Sequence, residues 1–188
     1  SRGVRGATVV DYARMVGASE LVPLTGPGHF SISAPLPGTA VPMGMLHELV
    51  AAGMRTPLPF TLDPHPPLDF DALGASDAER QDLARTFADA DAYHAGMLAL
   101  GLRERDAYTC TPYVHAAGNV PRRGEVLAWS ESSAVIYANS VIAARTNRNA
   151  AILDLFQNLL GVAPRFGLLT DAGRRATWRV EIATARLP

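Results

Sequence analysis

The chain has 188 residues and a mass of 20.0 kDa, with 48% hydrophobic and 19% charged residues, enough to bury one sizeable core and too apolar for a disordered segment. Its net charge is −1 and all 17 basic residues are arginine, which excludes the basic field that nucleic-acid binding requires. Cys110 is its only cysteine, which excludes an intrachain disulfide, and no apolar run reaches the length of a membrane span, so a cytoplasmic protein is expected.

Apolar residues recur at helical spacing from Thr8 to Val16, and Gly17 ends that segment. Leu21 to Leu24 reads as a short strand, followed by a Thr25–His29 loop and a Pro/Gly-rich passage through Pro42. Met43 to Ala52 reads as a helix, with Met43, Leu46, Leu49 and Val50 apolar and Gly53 as its stop. Thr56 to Leu62 is strand-like, and Pro64, Pro66 and Pro67 bar its continuation. Ser76 and Glu79 have capping-box spacing and open one long helix to about Leu100, closed by Gly101.

Tyr108 to Val114 is short and partly β-like, and Val126 to Trp129 reads as another strand. Helices follow over Glu131–Ala144 and Asn149–Leu160, the second stopped by Gly161, and Phe166–Leu169 and Ala176–Ile182 close the chain as strands. Helices alternating with strands predict a single α/β domain over residues 1–188, a three-layer αβα sandwich with a mainly parallel sheet.

The chemistry is expected between Tyr108 and Arg148, as the wall of a small-molecule site. Ser132 and Ser133 precede Asn139 and Ser140 by seven residues, close to two helical turns, so both pairs fall on one face of an otherwise apolar helix. Such hydroxyls either bond their own backbone or meet a ligand. Arg145-Thr146-Asn147-Arg148 follows, and two arginines flanking Thr-Asn suit a carboxylate or phosphate. Thr109-Cys110-Thr111-Pro112-Tyr113 gathers a thiol, two hydroxyls and a phenol about a proline-fixed turn. Cys110 also reads as a small buried hydrophobe. The histidines form no metal-binding pair on one helix face, and there is no phosphate-binding lysine loop or Gly-x-Ser-x-Gly elbow.

Thr109-Cys110-Thr111-Pro112-Tyr113, Gly118-Asn119-Val120-Pro121, Gly124-Glu125 and the run from Ala128 through Ser133, Asn139 and Ser140 to Arg148 resemble the catalytic region of the aconitase X family. Glu20 to Thr25 with His29, and Arg55-Thr56-Pro57 with Thr61-Leu62, extend the likeness. The resemblance implies an aconitase-like fold and dehydration of a small hydroxy acid, with an iron–sulfur cluster and a base from a separate swivelling domain or small subunit. Relative to the family, Ala150-Ala151 replaces a Gly-Gly pair, and the chain covers about half the expected length.

The expected function is therefore a lyase acting on a small hydroxylated, anionic metabolite. His29, Cys110, Glu131 and Ser132 are the candidate catalytic residues, and Tyr113, Ser133, Asn139, Ser140, Arg145, Asn147 and Arg148 the candidate substrate contacts. No metal ligand set is expected, and no cofactor from this chain alone; an iron–sulfur cluster is expected only if a partner supplies ligands. A metal-free cyclase or isomerase of a specialised biosynthetic pathway is the first alternative. The second is a non-catalytic subunit that completes its site with a partner chain. A homo-oligomer or a small swivel-domain subunit is the expected partner, with neither nucleic acid nor membrane.

Overall fold

The computed structural model describes residues 2–32, 41–63, 71–181 and 183. The prolines at 64, 66 and 67, Ile182 and the core of the Pro/Gly-rich passage lie outside the described residues. Helix α1 spans Arg2–Met15, β1 Leu21–Pro23, β2 Gly28–Phe30, α2 Met43–Ala51 and β3 Phe60–Leu62. Ser76 caps α3, Asp77–Thr86, through the reciprocal bonds of a capping box with Glu79. Helix α4 covers Ala90–Leu100 and ends on Gly101 in the left-handed conformation, at φ 115°.

The single helix expected from Ser76 to Leu100 is thus two. Helix α3 buries none of its residues, whereas α4 buries Ala90, Tyr93, Met97 and Leu100. A turn between them lets the polar half stay in solvent while the apolar half packs on α2.

Three further expectations are corrected. The helix expected over Glu131–Ala144 is α5, Ser132–Tyr137, continued by a π-turn over Ala138–Ile142 and stopped by Ala143 at φ 61°. Phe166–Leu169 is no strand: Gly167–Leu169 form a 3-10 turn, and residues 176–181 pair with no other strand. The strand in this region is β4, Val162–Pro164, directly after α6, Ala151–Leu160.

Among the described residues the named strands form two small sheets rather than one continuous sheet: β1 antiparallel to β4, and β2 parallel to β3. Single parallel bridges extend the second pair. Phe60 pairs with Leu102 and Leu62 with Tyr108 on one side, His29 with Trp129 on the other, and Val126 and Trp129 with Arg145 and Arg148. Taken in chain order, these five parallel segments lie in the spatial sequence third, second, first, fourth, fifth. The order reverses between β2 and residues 126–129. At such a reversal connections leave in opposite directions, and a crevice opens at the carboxyl ends of the strands.

Phe30, Phe60 and Leu62 from the strands form one core with Leu46, Leu49, Met97, Leu155 and Leu159 from the helices. Each fully buried side chain of this kind contributes about 1.5–3 kcal/mol. A second core, built on Trp129 with Leu127, Ala134, Val135, Ala138 and Ala144, seats α5 and the π-turn. Gly28 lets α6 approach β2, because a Cβ there would lie 2.7 Å from the Asn158 Oδ1.

Helix α6 is held to α1 by a polar chain that runs from the half-buried Tyr12 to the buried Asp154. The Tyr12 hydroxyl donates to Asn149 Oδ1 at 2.7 Å, and the Asn149 and Gln157 amides donate to Asp154 Oδ1 at 2.8 and 3.0 Å. Burial pushes the Asp154 carboxyl well above the usual carboxylate range, against the opposing pull of those amides.

Candidate active site at the carboxyl edge

Chain geometry brings the ends of several parallel segments to one edge. Segment β2 ends in Phe30-Ser31 and β3 in Leu62-Asp63, while the segment after Tyr108 ends in Thr109-Cys110 and residues 126–129 run into Ser130-Glu131. The Ser31 N–H donates to Ser130 Oγ at 2.9 Å, and the Ser130 N–H to the His29 carbonyl at 3.2 Å, so β2 and the Trp129 segment stay joined where the order reverses.

His29 is fully buried just inside this edge. Its Nδ1 lies 2.9 Å from Thr61 Oγ1, and its Nε2 lies 3.4 Å from Asp63 Oδ1. The Trp129 ring stands edge-on to the imidazole, with centroids 5.7 Å apart, and is itself fixed by its indole N–H donating to the Pro27 carbonyl at 2.7 Å. Asn119 Nδ2 donates to Thr61 Oγ1 at 2.8 Å and to the Gly28 carbonyl at 3.0 Å. Asp63 is half-buried, and its Oδ2 accepts a short hydrogen bond from the Ser31 hydroxyl.

Asp63, Ser31 and Ser130 did not stand out in the sequence as site residues. Their shared signal is local: each is a small polar residue one step beyond an aromatic or aliphatic strand residue. Asn119 and Thr61 belonged to the family-like motifs without an assigned role.

Glu131 serves as the N-cap of α5, its carboxylate accepting from the Ser133 N–H, the Ser133 hydroxyl and the Ala134 N–H. Partial burial opposes ionisation, but these donors outweigh it and hold the Glu131 carboxyl below the usual range, against a small opposing contribution from the nearby Asp63 charge. Ser132 is exposed in the same first turn. Cys110 is exposed, which corrects its reading as a buried hydrophobe. Tyr113 stacks on Tyr137, with ring centroids 4.2 Å apart and planes 15° from parallel.

The polar residues farther along hold the backbone. Asn139 Nδ2 donates to the carbonyls of Val135 and Thr146 at 2.9 and 2.8 Å, and its Oδ1 accepts from Arg174 at 2.8 Å. The Ser140 hydroxyl donates to the Ile136 carbonyl at 2.6 Å. Arg145 and Asn147 share one side of an extended segment and grip the same loop. Arg145 Nη1 donates to the Leu169 carbonyl at 3.1 Å while its Nη2 pairs with Asp171, and Asn147 accepts from the Leu168 N–H at 2.8 Å. Arg148 is exposed. The structure commits Arg145 to the loop over 169–171, while Arg148 is bridged to Trp129, so the two do not form one fork.

A cleft of about 500 Å³ between Leu73 and Leu83 contains none of these residues. Among the described residues no helix is long and apolar enough to cross a membrane.

Residues 5–172 match the family described as the aconitase X first domain. The chain belongs to the aconitase X family. It is 32% identical over 182 residues to the phosphomevalonate dehydratase large subunit of Aeropyrum pernix, covering 92% of this chain and 43% of that protein. It is 53% identical over 74 residues to the large subunit of the same name from Methanothermobacter thermautotrophicus, covering 39% of this chain and 18% of that one. The cis-3-hydroxy-L-proline dehydratase of Hypocrea jecorina is 45% identical over 75 residues, 40% of this chain and 12% of that protein. The crystal structure of Thermococcus kodakaraensis aconitase X in its holo-form superposes with a TM-score of 0.70 at 28% identity, over 94% of this chain and 41% of that one. The chain thus spans less than half the length of the aconitase X proteins it matches.

The family resemblance implied an iron–sulfur cluster, which is held by several thiolates. Cys110 is the one thiol of this sequence, and among the described residues no three His, Cys, Asp or Glu side chains gather into a metal-binding set. The residues of this chain supply one thiolate, Cys110, toward such a cluster.

Proposed function

We propose that this aconitase X domain forms part of a hydro-lyase acting on a small hydroxylated anion. The observation that carries the reading is the joining of His29, Asp63, Ser31 and Ser130 at the carboxyl edge of the parallel segments, where their order reverses. Arg148 lies on the same edge, two segments away from His29, about 10 Å by strand spacing. That separation suits a molecule with a carboxylate or phosphate at one end and a reacting carbon at the other. In the reaction one C–H and one C–O bond break, a C=C bond forms and water leaves, with no change of redox state overall.

The names of the relatives suggest phosphomevalonate and cis-3-hydroxy-L-proline as first substrates to try. We assign the anion to Arg148 and the proton transfer to a base from a separate swivelling domain or small subunit, with no cluster held by this chain's own residues alone. The parallel bridges support a three-layer sandwich, and an unpaired, exposed Cys110 suits a reducing, cytoplasmic setting.

A second reading, in which further protein completes the site, is favoured by the exposed apolar side chains Ile136 and Val141, 66% and 62% accessible beside Tyr137. The large-subunit names of the archaeal relatives agree with it, and a small swivel-type subunit is the partner of choice.

Calorimetric titration with phosphomevalonate tests the anion assignment whether or not the isolated chain turns over. Arg148→Ala is expected to weaken binding by about 10- to 100-fold, the loss typical of a charge-assisted hydrogen bond. Arg145→Ala is expected to leave it within about threefold, a shift below 1 kcal/mol. Unchanged affinity in Arg148→Ala overturns the assignment.

A further inference from the structure

We infer that Arg174 is a positioning residue: without touching substrate, it fixes the segment that presents Arg148 by capping the π-turn through Asn139. This rests on the reading of Arg148 as the group that holds the anion, and names what keeps it in place.

The need for such a residue follows from how the helix of the site wall ends. The last carbonyls of a helix find no partner within it. Ala143 stops the π-turn at φ 61°, and the N–H groups of Ala143 and Ala144 both go to the Ala138 carbonyl, so neither serves the Asn139 carbonyl. One guanidinium from far along the chain takes over. Arg174 Nη2 donates to the Asn139 carbonyl at 2.9 Å, while Nη1 donates to Asn139 Oδ1 at 2.8 Å and to the carbonyl of the fully buried Ala144 at 3.1 Å. Three acceptors in this arrangement suit a planar fork of donors, and its positive charge suits the negative end of a helix.

Asn139 passes the constraint on. With Oδ1 held by Arg174, its amide brackets Thr146: Nδ2 donates to the Thr146 carbonyl at 2.8 Å, and Oδ1 accepts from the Thr146 N–H at 3.3 Å. Thr146 Oγ1 in turn accepts from the Trp129 N–H at 3.2 Å, and Trp129 bridges Arg148. Thr146 is fully buried, and Arg148, two residues on, is exposed. The buried bonds therefore set the backbone from which Arg148 reaches solvent. Arg175, next in sequence to Arg174 and of the same charge, is exposed and serves as the control.

Two measurements test this. Amide hydrogen exchange needs no ligand: in Arg174→Gln the Thr146 and Trp129 N–H groups are expected to exchange at least about tenfold faster, while the Thr109 N–H, bonded to the Leu62 carbonyl, keeps its rate. Unchanged rates at Thr146 and Trp129, or the same acceleration at all three, overturn the inference. Calorimetric titration with phosphomevalonate reads the consequence. Arg174→Gln is expected to weaken binding about tenfold and Arg174→Lys about threefold, with Arg175→Gln within about twofold of the parent. Made on top of Arg148→Ala, Arg174→Gln is expected to cost less than about twofold more, because the two residues act through one group. A full further tenfold loss there, or an equal loss in Arg175→Gln, overturns the inference. If Arg174→Gln does not fold, Arg174→Lys carries both measurements, with acceleration confined to Thr146 and Trp129 as the expected result. Absence of binding by the unaltered protein, or affinity unchanged in Arg148→Ala, sinks the anion reading instead, and exchange at Thr146 and Trp129 then decides alone.

Discussion

Ser31 and Ser130 meet across the gap where the parallel segments reverse their order: the backbone N–H of one donates to the side-chain oxygen of the other at 2.9 Å. The contact closes the edge of the crevice with a side chain in place of a regular ladder bond. Ser130→Ala leaves the Ser31 N–H without that acceptor, and a cost of about 1 kcal/mol is expected. Thermal unfolding should show it as a midpoint lowered by about 2–4 °C. An unchanged midpoint would show that water replaces the bond at no cost.

Gly28→Ala probes the seat of α6 on β2. The added Cβ meets Asn158 Oδ1 at 2.7 Å and Cγ at 3.0 Å, and the Asn158 amide is committed to the Ala128 and Asp154 carbonyls. Overpacking of this kind costs about 1–3 kcal/mol. Urea unfolding is the measurement, and a variant as stable as the parent would mean that α6 moves away freely.

Asn139→Ala and Arg145→Ala are expected to separate by magnitude. Asn139 satisfies the carbonyls of Val135 and Thr146 and also receives Arg174, so its loss should cost about 2–3 kcal/mol. The Arg145 partner Asp171 is 89% exposed, and solvent screening limits such a pair to below about 1 kcal/mol. Equilibrium unfolding of both variants checks the ranking, and Arg145→Ala as the more damaging change would refute it.

Two carboxyl groups should act on stability with opposite signs as pH changes. The folded state raises Asp154 above its unfolded value of about 3.9, so its contribution is complete below that value and is lost as pH rises through the folded one. Glu131 is lowered, so its contribution is present above about 4.3 and is lost as pH falls through the folded value. Unfolding measured from about pH 3 to pH 8 should show Asp154→Asn gaining on the parent as pH rises and Glu131→Gln losing on it. Parallel curves for parent and Asp154→Asn would remove Asp154 from the account.

Local signals were legible in the sequence, and long-range pairing was not. The capping box of Ser76 and Glu79 and the stops at Gly101 and Gly161 depend on residues a few positions apart, and each is found where its spacing predicts. The turn between α3 and α4 was hidden because Phe87-Ala88-Asp89 contains no breaker; only the burial of α4 against α2 calls for it. The seven-residue spacing of Ser132 and Asn139 assumed a regular α-helix, but the π-turn changes the phase just where Asn139 begins to bond the neighbouring segment. Family membership was readable because the Tyr108–Arg148 motifs survive in sequence. Asp63 was not, since an acid before proline reads as a loop until β3 and β2 are paired and His29 is found facing it.

Cys110 gives the carboxyl edge a ready chemical handle. It is the only sulfhydryl in the sequence, it is exposed, and it follows Thr109, whose N–H is bonded to the Leu62 carbonyl beside Asp63. A maleimide fluorophore would therefore attach at one position without any engineered substitution and would report from the rim of the crevice. Quenching or a spectral shift on adding a candidate metabolite gives a binding assay independent of turnover, so libraries of hydroxy acids can be screened against the natural sequence.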